Sequence, residues 1–337
     1  MRSQLKVLIV GCGSIGRRHL ANLKALGVKK FILCDTNKEL LEKVATGLEN
    51  PVLTTNFKDA VLRCPDAAVI CTPSSMHLEM SLELAKRGVD LLIEKPLSHS
   101  LEGCSELEEL VMEKDLVAML AMCYRFHPVF LHIKNLVDSE IIGKIFHVNY
   151  YGGHYLPDWH PYADYRNEYA SQKRLGGGVI LTSIHSLDNI RWLFGEVSEA
   201  HAFVDKVSSL EMDAEDIATA IFRLENGIYV NWQNDFLQRA NQHRMVITGE
   251  AGTIRCDFVE GVIETYLTNY KKTWNTGKLT FDINKMYLEE MEHFLECIIN
   301  RTQPSIDLKE GYKTLKLALD VKETGVRTQE SKICRTA

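Results

Sequence analysis

The sequence predicts two folds in one chain. The first is an α/β domain on a doubly wound parallel sheet. The second is an α+β domain with an open-faced, mostly antiparallel sheet and helices. Three observations carry this. Short apolar runs alternate with helix-length segments over the first third of the chain. A glycine-rich turn separates the first run from the first helix. After about Cys123 the pattern changes to period-two strands joined by turn signals such as Glu225-Asn226-Gly227 and Gly249-Glu250-Ala251-Gly252. A boundary there gives domains of residues 1–122 and 123–337, a reasonable division for 337 residues.

Lys6–Val10 reads as a buried parallel strand. Gly11-Cys12-Gly13-Ser14-Ile15-Gly16 follows it and opens a helix to about Leu26. This G-x-G-x-x-G between strand and helix suits a pyrophosphate. The first glycine allows a tight turn, the second a close backbone approach, and the third close packing of helix on strand. Free N–H groups and the positive helix end face the phosphates. Lys30–Cys34 is a second strand, with Asp35 at its end, 24 positions after Gly11. A carboxylate there accepts ribose hydroxyls and repels a 2′-phosphate, so the expected cofactor is NAD rather than NADP. The plain alternative for Asp35 is a helix N-cap.

Residues 67–71 form the next buried strand and lead into Thr72-Pro73-Ser74-Ser75. A helix over 76–87 is ended by Gly88, and a strand over 91–93 runs into Glu94-Lys95-Pro96. A helix over 101–113, capped by Ser98 or Ser100, and a strand over 117–122 complete the domain. Ligands of such sheets bind beyond the carboxyl ends of the strands, at the loops of Gly11, Asp35, Thr72 and Glu94.

In the second half, His127-Pro128 opens a helix expected to end near Gly143, and 145–151 alternates as a strand. A long loop rich in aromatic, His and Pro residues follows, then one helix over 179–194 closed by Gly195. Strands are expected near 199–206, 216–224, 228–236, 244–248, 253–257 and 262–268, and closing helices over 286–299 and 309–324. The sheet's apolar face needs helices or another subunit as a partner layer, so a homodimer or homotetramer through this sheet is expected.

Composition narrows the class. Apolar content of 45% and charged content of 25% suit a soluble globular enzyme. A net charge of −6 without a basic run argues against a nucleic-acid partner, and no apolar stretch approaches a membrane span. The chain passes from Met1 almost directly into a strand, leaving no room for a signal peptide, and a cytoplasmic location is expected. The nine cysteines form no C-x-x-C and read as reduced thiols. Cys12 is read as a small filler in the glycine loop, with an oxidation-sensitive thiol as the alternative. His154 and His160 lack a third ligand at convincing spacing, so no metal is expected.

Lys95 lies where a strand meets the nucleotide crevice. It would sit beside the nicotinamide and bond the substrate hydroxyl, with partial burial lowering its pKa. A surface ion pair with Glu94 is the plain alternative. Pro96 holds Glu94-Lys95 extended and is compatible with a cis peptide.

These motifs occur together in a particular order. The G-x-G-x-x-G is followed by Thr72-Pro73-x-x-x-His77, Glu94-Lys95-Pro96 and Arg125, then by Gly176-Gly177-Gly178 ahead of His185-x-x-Asp188. In this the chain resembles the glucose–fructose oxidoreductase / inositol dehydrogenase (Gfo/Idh/MocA) family over essentially its whole length. The resemblance implies a Rossmann domain, NAD(P) as cofactor, and oxidation or reduction of a secondary alcohol on a sugar, nucleotide-sugar or cyclitol. It implies that Lys95 anchors substrate, that His185 is the general acid/base, and that Thr72, Pro73, His77 and Glu94 line the cofactor crevice. It implies no metal.

One departure stands out. The family pattern places a catalytic Asp between the glycines and the His, and here that segment is one residue short. Counted from the glycines the Asp position is Thr182, and counted from His185 it is Leu181. His185 would then act alone or with Asp188. The alternative from another class is an NAD(H)-binding partner or regulator that has lost catalysis. A third reading keeps the enzyme but makes its cofactor non-dissociating.

The stretch 155–166 precedes the glycines and should arch over the site. Tyr155, Trp159, His160, Tyr165 and Arg166 are its candidate substrate contacts, with Arg125, Thr182 and Asp188. Trp and Tyr faces suit the C–H faces of sugar rings, and His and Arg suit hydroxyls or phosphates. The stretch also resembles a subgroup linked to nucleotide-sugar or amino-sugar metabolism. Arg239, His243 and Arg244 would reach a substrate phosphate or else mark a solvated strand edge.

Overall fold

The computed structural model describes residues 1–268 and 274–330. The chain falls into two compact units. The first comprises Met1–Phe126 and Ile283–Leu315, and the second the described residues of 127–282 and of 316–330. The sequence reading placed one division at 122/123; in the structure the late segment Ile283–Leu315 also belongs to the first unit.

The first unit holds β1 (Lys6–Val10), α1 (Ser14–Ala25), β2 (Lys30–Cys34), α2 (Lys38–Val44), β3 (Val52–Thr54), α3 (Phe57–Val61), β4 (Ala67–Ile70), α4 (Ser74–Lys86), β5 (Asp90–Glu94), α5 (Cys104–Glu113) and β6 (Ala118–Ala121). The strands form one six-stranded parallel sheet, ordered β3-β2-β1-β4-β5-β6. The strand order reverses beside β1, which puts the ligand crevice at the ends of β1 and β4. All residues of β4, β5 and β6 are buried, as expected of strands covered on both faces. The expected Ser98 or Ser100 cap is not used. The N-cap of α5 is Gly103, in a left-handed conformation, because the chain turns there before the helix starts.

The second unit contains α6 (Pro128–Asp138), β7 (Ile145–Gly153), α7 (Leu156–Trp159), α8 (Val179–Thr182), α9 (His185–Phe194), β8 (Val197–Asp205), β9 (Ile217–Leu224), β10 (Tyr229–Asp235), β11 (Gln242–Gly249), β12 (Gly252–Asp257), β13 (Val262–Leu267) and β14 (Trp274–Lys278). The late helices are α10 (Ile283–Asn300) and α11 (Leu308–Glu330). The His127 side chain caps α6, which stops at Asp138, short of the expected end near Gly143. The eight-stranded sheet runs β14-β13-β12-β11-β7-β10-β9-β8, antiparallel except for β7 beside β10.

One face of that sheet is core. Tyr150, Phe222, Val230, Trp232, Met245 and Ile254 are at most 1% exposed. Helices supply its partner layer. The Trp232 indole donates to Ser186 of α9, and Phe130 of α6 stacks on Phe258, 4.0 Å between centroids. The opposite face keeps Phe203, Ile221 and Tyr229 exposed at 65%, 56% and 51%.

Candidate active site

In the first unit the glycine loop has the geometry its motif requires. Gly11 has φ +86°, and a Cβ on it would lie 2.7 Å from the Cys71 carbonyl oxygen. A Cβ on Gly16 would lie 2.0 Å from the Gly11 oxygen, so only glycine lets α1 close on the loop. A Cβ on Gly13 would meet nothing within 4 Å. That open approach to backbone, at the start of a helix with Ser14 and Ile15 in its first turn, fits a pyrophosphate. Asp35, at the end of β2, accepts from the Cys12 backbone N–H at 2.7 Å and the Asn37 N–H at 2.9 Å. The loop and the ribose-recognising acid are therefore one hydrogen-bonded unit, and the cap of α2 is Asn37 rather than Asp35. Cys12 is fully buried. Burial, and then the Asp35 charge, push its thiol up to about 12, which suits the filler reading.

The loops after β4 and β5 are tied together. The His77 ring, 1% exposed, places Nε2 2.7 Å from the Thr72 oxygen and Nδ1 2.8 Å from the Pro96 oxygen. Burial lowers its pKa against the pull of those carbonyls. His77 therefore braces the two loops that carry Thr72-Pro73 and Lys95. The Lys95–Pro96 peptide is cis.

Glu94 closes β5 with its carboxylate buried. Oε1 lies 2.7 Å from His19 Nε2, and Oε2 accepts from the Lys95 backbone N–H at 3.1 Å. Burial pushes this carboxyl up, but the His19 hydrogen bond and the charges of His19, Lys95 and His77 prevail and hold it below its ordinary value. Lys95 is half-buried at the strand end. Arg125 lies in a 3₁₀ turn, Cys123–Phe126, and donates to Glu310 at 3.0 Å.

Two residues of this cluster escaped the sequence reading. His19 lies on the buried face of α1, three residues after the last glycine of the motif. Glu290, on α10, is fully buried and lacks a hydrogen-bond partner on either oxygen among the described residues. Burial and then the Glu94 charge push its carboxyl well above the ordinary range. The spacing after the glycines was an available signal for His19. Glu290 carried none, lying in a helix that reads as amphipathic.

In the second unit, the expected helix over 179–194 is two helices. α8 ends at Thr182 and α9 starts at His185, with Ser183 leaving helical geometry at φ −99°, ψ 26°. The break makes His185 a helix-start residue. It is half-buried, while Thr182 and Asp188 are 4% and 1% exposed. Asp188 shares a face of α9 with His185 by its i, i+3 spacing. The Gly178 N–H donates to the Ala170 oxygen at 2.9 Å and the Val179 N–H to the Glu215 oxygen at 3.0 Å, fixing the start of α8. Beneath α9, Asn189 donates to the Tyr150 hydroxyl at 3.3 Å, and that hydroxyl lies 2.6 Å from His243 Nε2. His243 is therefore tied into the packing beneath α9, and burial lowers its pKa to about 3.

The stretch 155–166 is compact rather than an irregular loop. It folds through α7 and a 3₁₀ turn, Tyr165–Asn167. Trp159, 37% exposed, stacks on His160 at 4.8 Å and 11°, with His154 and Tyr162 at either end of the series. Its charged groups are committed to one another. His160 Nδ1 lies 2.8 Å from Glu168. Arg166 grips Asp164 at 2.8 and 2.9 Å and reaches Glu211 at 3.4 Å. The Tyr165 hydroxyl accepts from the Glu211 N–H. The Arg239 guanidinium lies 3.6 Å above the Tyr155 ring, and Arg244 pairs with Asp257. Among the described residues no group of three His, Cys, Asp or Glu could hold a metal, and no helix is long and apolar enough to cross a membrane.

A dinucleotide loop at the switch point of a parallel sheet, with a ribose acid and a strand-end lysine, is the arrangement of an NAD-dependent oxidoreductase. Residues 5–122 match the oxidoreductase family with an NAD-binding Rossmann fold, and residues 130–255 match the GFO/IDH/MocA C-terminal domain. The chain belongs to the Gfo/Idh/MocA family. It is 25% identical over 347 residues to scyllo-inositol 2-dehydrogenase (NAD(+)) of Bacillus subtilis, covering 91% of this chain and 90% of that protein. Among solved structures it superposes on levoglucosan dehydrogenase in complex with NADH and levoglucosan with a TM-score of 0.85 at 20% identity, covering 96% of this chain and 97% of the other. The WlbA dehydrogenase of Bordetella pertussis, in complex with NADH and UDP-GlcNAcA, gives a TM-score of 0.81 at 20% identity, covering 96% and 97%.

Proposed function

We propose that this oxidoreductase acts on a secondary alcohol of an uncharged polyol ring, a cyclitol or a free or anhydro sugar. The observation that carries the reading is the chain of contacts from His19 through Glu94 to the Lys95 backbone. It holds a half-buried lysine at the end of β5, where such sheets bind ligands. NAD, when bound, takes or gives the hydride at its nicotinamide. Gly11, Gly13, Ser14, Ile15 and Asp35 would hold it, with Thr72, Pro73 and Glu94 along the crevice. Lys95 donates a hydrogen bond to the substrate oxygen and steadies negative charge developing there. His185 moves the hydroxyl proton at its ring nitrogen, and Asp188, on the same face of α9, orients the ring.

The self-neutralised stretch 155–166 supports an uncharged substrate. Arg166 already faces Asp164 and Glu211, and His160 faces Glu168. A nucleotide diphosphate would have to displace those partners, whereas the Trp159–His160 face offers stacking to a ring without cost in charge. The relatives that act on inositol and levoglucosan support the same class. We further propose assembly into a homodimer or homotetramer through the face of the large sheet that bears Phe203, Ile221 and Tyr229. A monomer in light scattering at micromolar concentration would overturn it. The eight described cysteines are thiols rather than disulfides, which supports a reducing, cytoplasmic location; Cys334 lies outside the described residues.

The test is NADH formation by purified protein with NAD and a panel of inositols, levoglucosan, free hexoses and UDP-sugars, with Lys95→Ala alongside. Turnover of an uncharged ring, lost in the variant while NADH still binds, supports the proposal. Turnover confined to UDP-sugars would replace the substrate class, and turnover unchanged in Lys95→Ala would remove the lysine's role.

A further inference from the structure

The outer side of α1 and the start of α10 enclose a groove of about 380 Å³ in the first unit. From α1 it takes Ser14, Arg17, Arg18 and Asn22, and from α10 Asn284. That volume lies within the range of small-molecule sites.

Three of its side chains, Arg17, Arg18 and Asn22, present donors to it. Arg17 is exposed, and its Nε donates only to the Gly13 carbonyl at 3.3 Å. The Arg18 guanidinium lies 4.4 Å above the Tyr287 ring. Neither arginine has a carboxylate partner among the described residues. Asn22 is 3% exposed. Its Oδ1 accepts from Asn284 Nδ2 at 2.9 Å, but its own Nδ2 has no acceptor among the described residues. A buried amide donor without an acceptor is uncommon in native proteins and marks a place where a ligand can supply one. Two unpaired guanidiniums beside it set the sign of that ligand, in a chain whose net charge is −6.

We infer that this groove binds a small phosphate-bearing metabolite at a site separate from the dinucleotide. A phosphate monoester offers oxygens for both guanidinium forks and for the Asn22 amide, and the remaining volume accommodates a small organic body. The position separates it from the pyrophosphate. Ser14 opens α1 at the glycine loop, whereas Asn22 lies two turns further on, about 12 Å along the axis by helix rise. The groove thus adjoins the nucleotide loop at one end only, through Ser14 and the Arg17–Gly13 bond.

The experiment uses the full chain saturated with NADH, so that the pyrophosphate position is filled. Inorganic phosphate is the probe, titrated calorimetrically at constant ionic strength against a chloride control. Saturable binding is expected. Asn22→Asp keeps the acceptor for Asn284 and puts a like charge against the ligand, so it should weaken phosphate by roughly tenfold or more. Arg17→Ala, at an exposed position with little bearing on folding, should weaken it as well. Matching melting curves for the variants establish that they fold. Phosphate that competes with NADH would make the groove part of the dinucleotide site and overturn the inference. So would the absence of saturable binding, or binding indifferent to both substitutions. None of these readouts depends on turnover, so they leave the substrate proposal untouched.

Discussion

His19→Phe tests whether the buried hydrogen bond under Lys95 stabilises the first unit. The substitution keeps a flat ring against Tyr287, whose centroid lies 6.3 Å from that of His19. It removes the donor to Glu94 Oε1 and little else, because His19 Nδ1 already has no partner among the described residues. Hydrogen bonds to charged groups contribute about 1.5–3 kcal/mol, and breaking a fully buried ion pair costs about 3–5 kcal/mol. Glu94 keeps its Lys95 N–H, so the lower range applies, and a loss of about 2–3 kcal/mol is expected at pH 7. For a unit of this size that is a fall of roughly 5–10 °C in melting temperature. The pH dependence has a definite sign. The folded Glu94 carboxyl lies below its ordinary value of 4.5. Its contribution is therefore fully present above that value and is lost as pH falls through the folded value. In the variant the carboxyl is free to take up a proton in place of the lost bond. Without the His19 bond, burial has less to oppose it, and the variant's Glu94 takes up its proton at a higher pH than in the native protein. The gap between the two proteins should therefore narrow as pH falls into the carboxylate range, first as the variant's Glu94 protonates and then as the native one does. Urea melts followed by fluorescence from pH 7 downward measure it. A gap of the same size at every pH would mean that packing, not the charged bond, is what His19 provides.

Other outcomes follow from the same geometry. Gly16→Ala, with a Cβ 2.0 Å from the Gly11 oxygen, should lower stability by about 1–3 kcal/mol or more and abolish NADH binding; binding retained would contradict the close approach. Asp35→Ala should reduce the preference for NAD over NADP by roughly tenfold, read as the ratio of kcat/KM values, and should loosen the Cys12 turn. Asp188→Asn should lower kcat more than it changes KM and alter the pH–rate profile; a change in KM alone would give Asp188 a binding role instead. Trp159→Ala, at a partly exposed ring, should raise KM several-fold with melting nearly unchanged, and an unchanged KM would remove stacking from the substrate account.

The strands β1 and β2 were legible to the residue, because a short run of consecutive apolar residues is a burial pattern written in adjacent positions. The glycine loop and Asp35 were legible for a related reason: their roles depend on local backbone geometry. The strands β3 and β14 were not, since edge strands bury little, and β14 is exposed throughout. The helix break before His185 left no glycine or proline to mark it. It is set by the contacts that fix the start of α8 and the packing of α9 on Trp232.

What the sequence by itself determined was the class of cofactor and the place of the lysine, because both rest on residues close together in the chain. Only the tertiary structure decided what holds that lysine. His19 and Glu94 lie 75 positions apart and meet because α1 packs beside the parallel strands, and Glu290 approaches them from a helix that rejoins the unit late in the chain. It also decided which charges remain available. Arg125, Arg166 and Arg244 read alike in sequence with Arg17 and Arg18, yet the first three are taken up by nearby carboxylates and the last two are not. A side chain's charge is a property of its own residue, whereas its partner depends on which other segment the fold brings within hydrogen-bond reach.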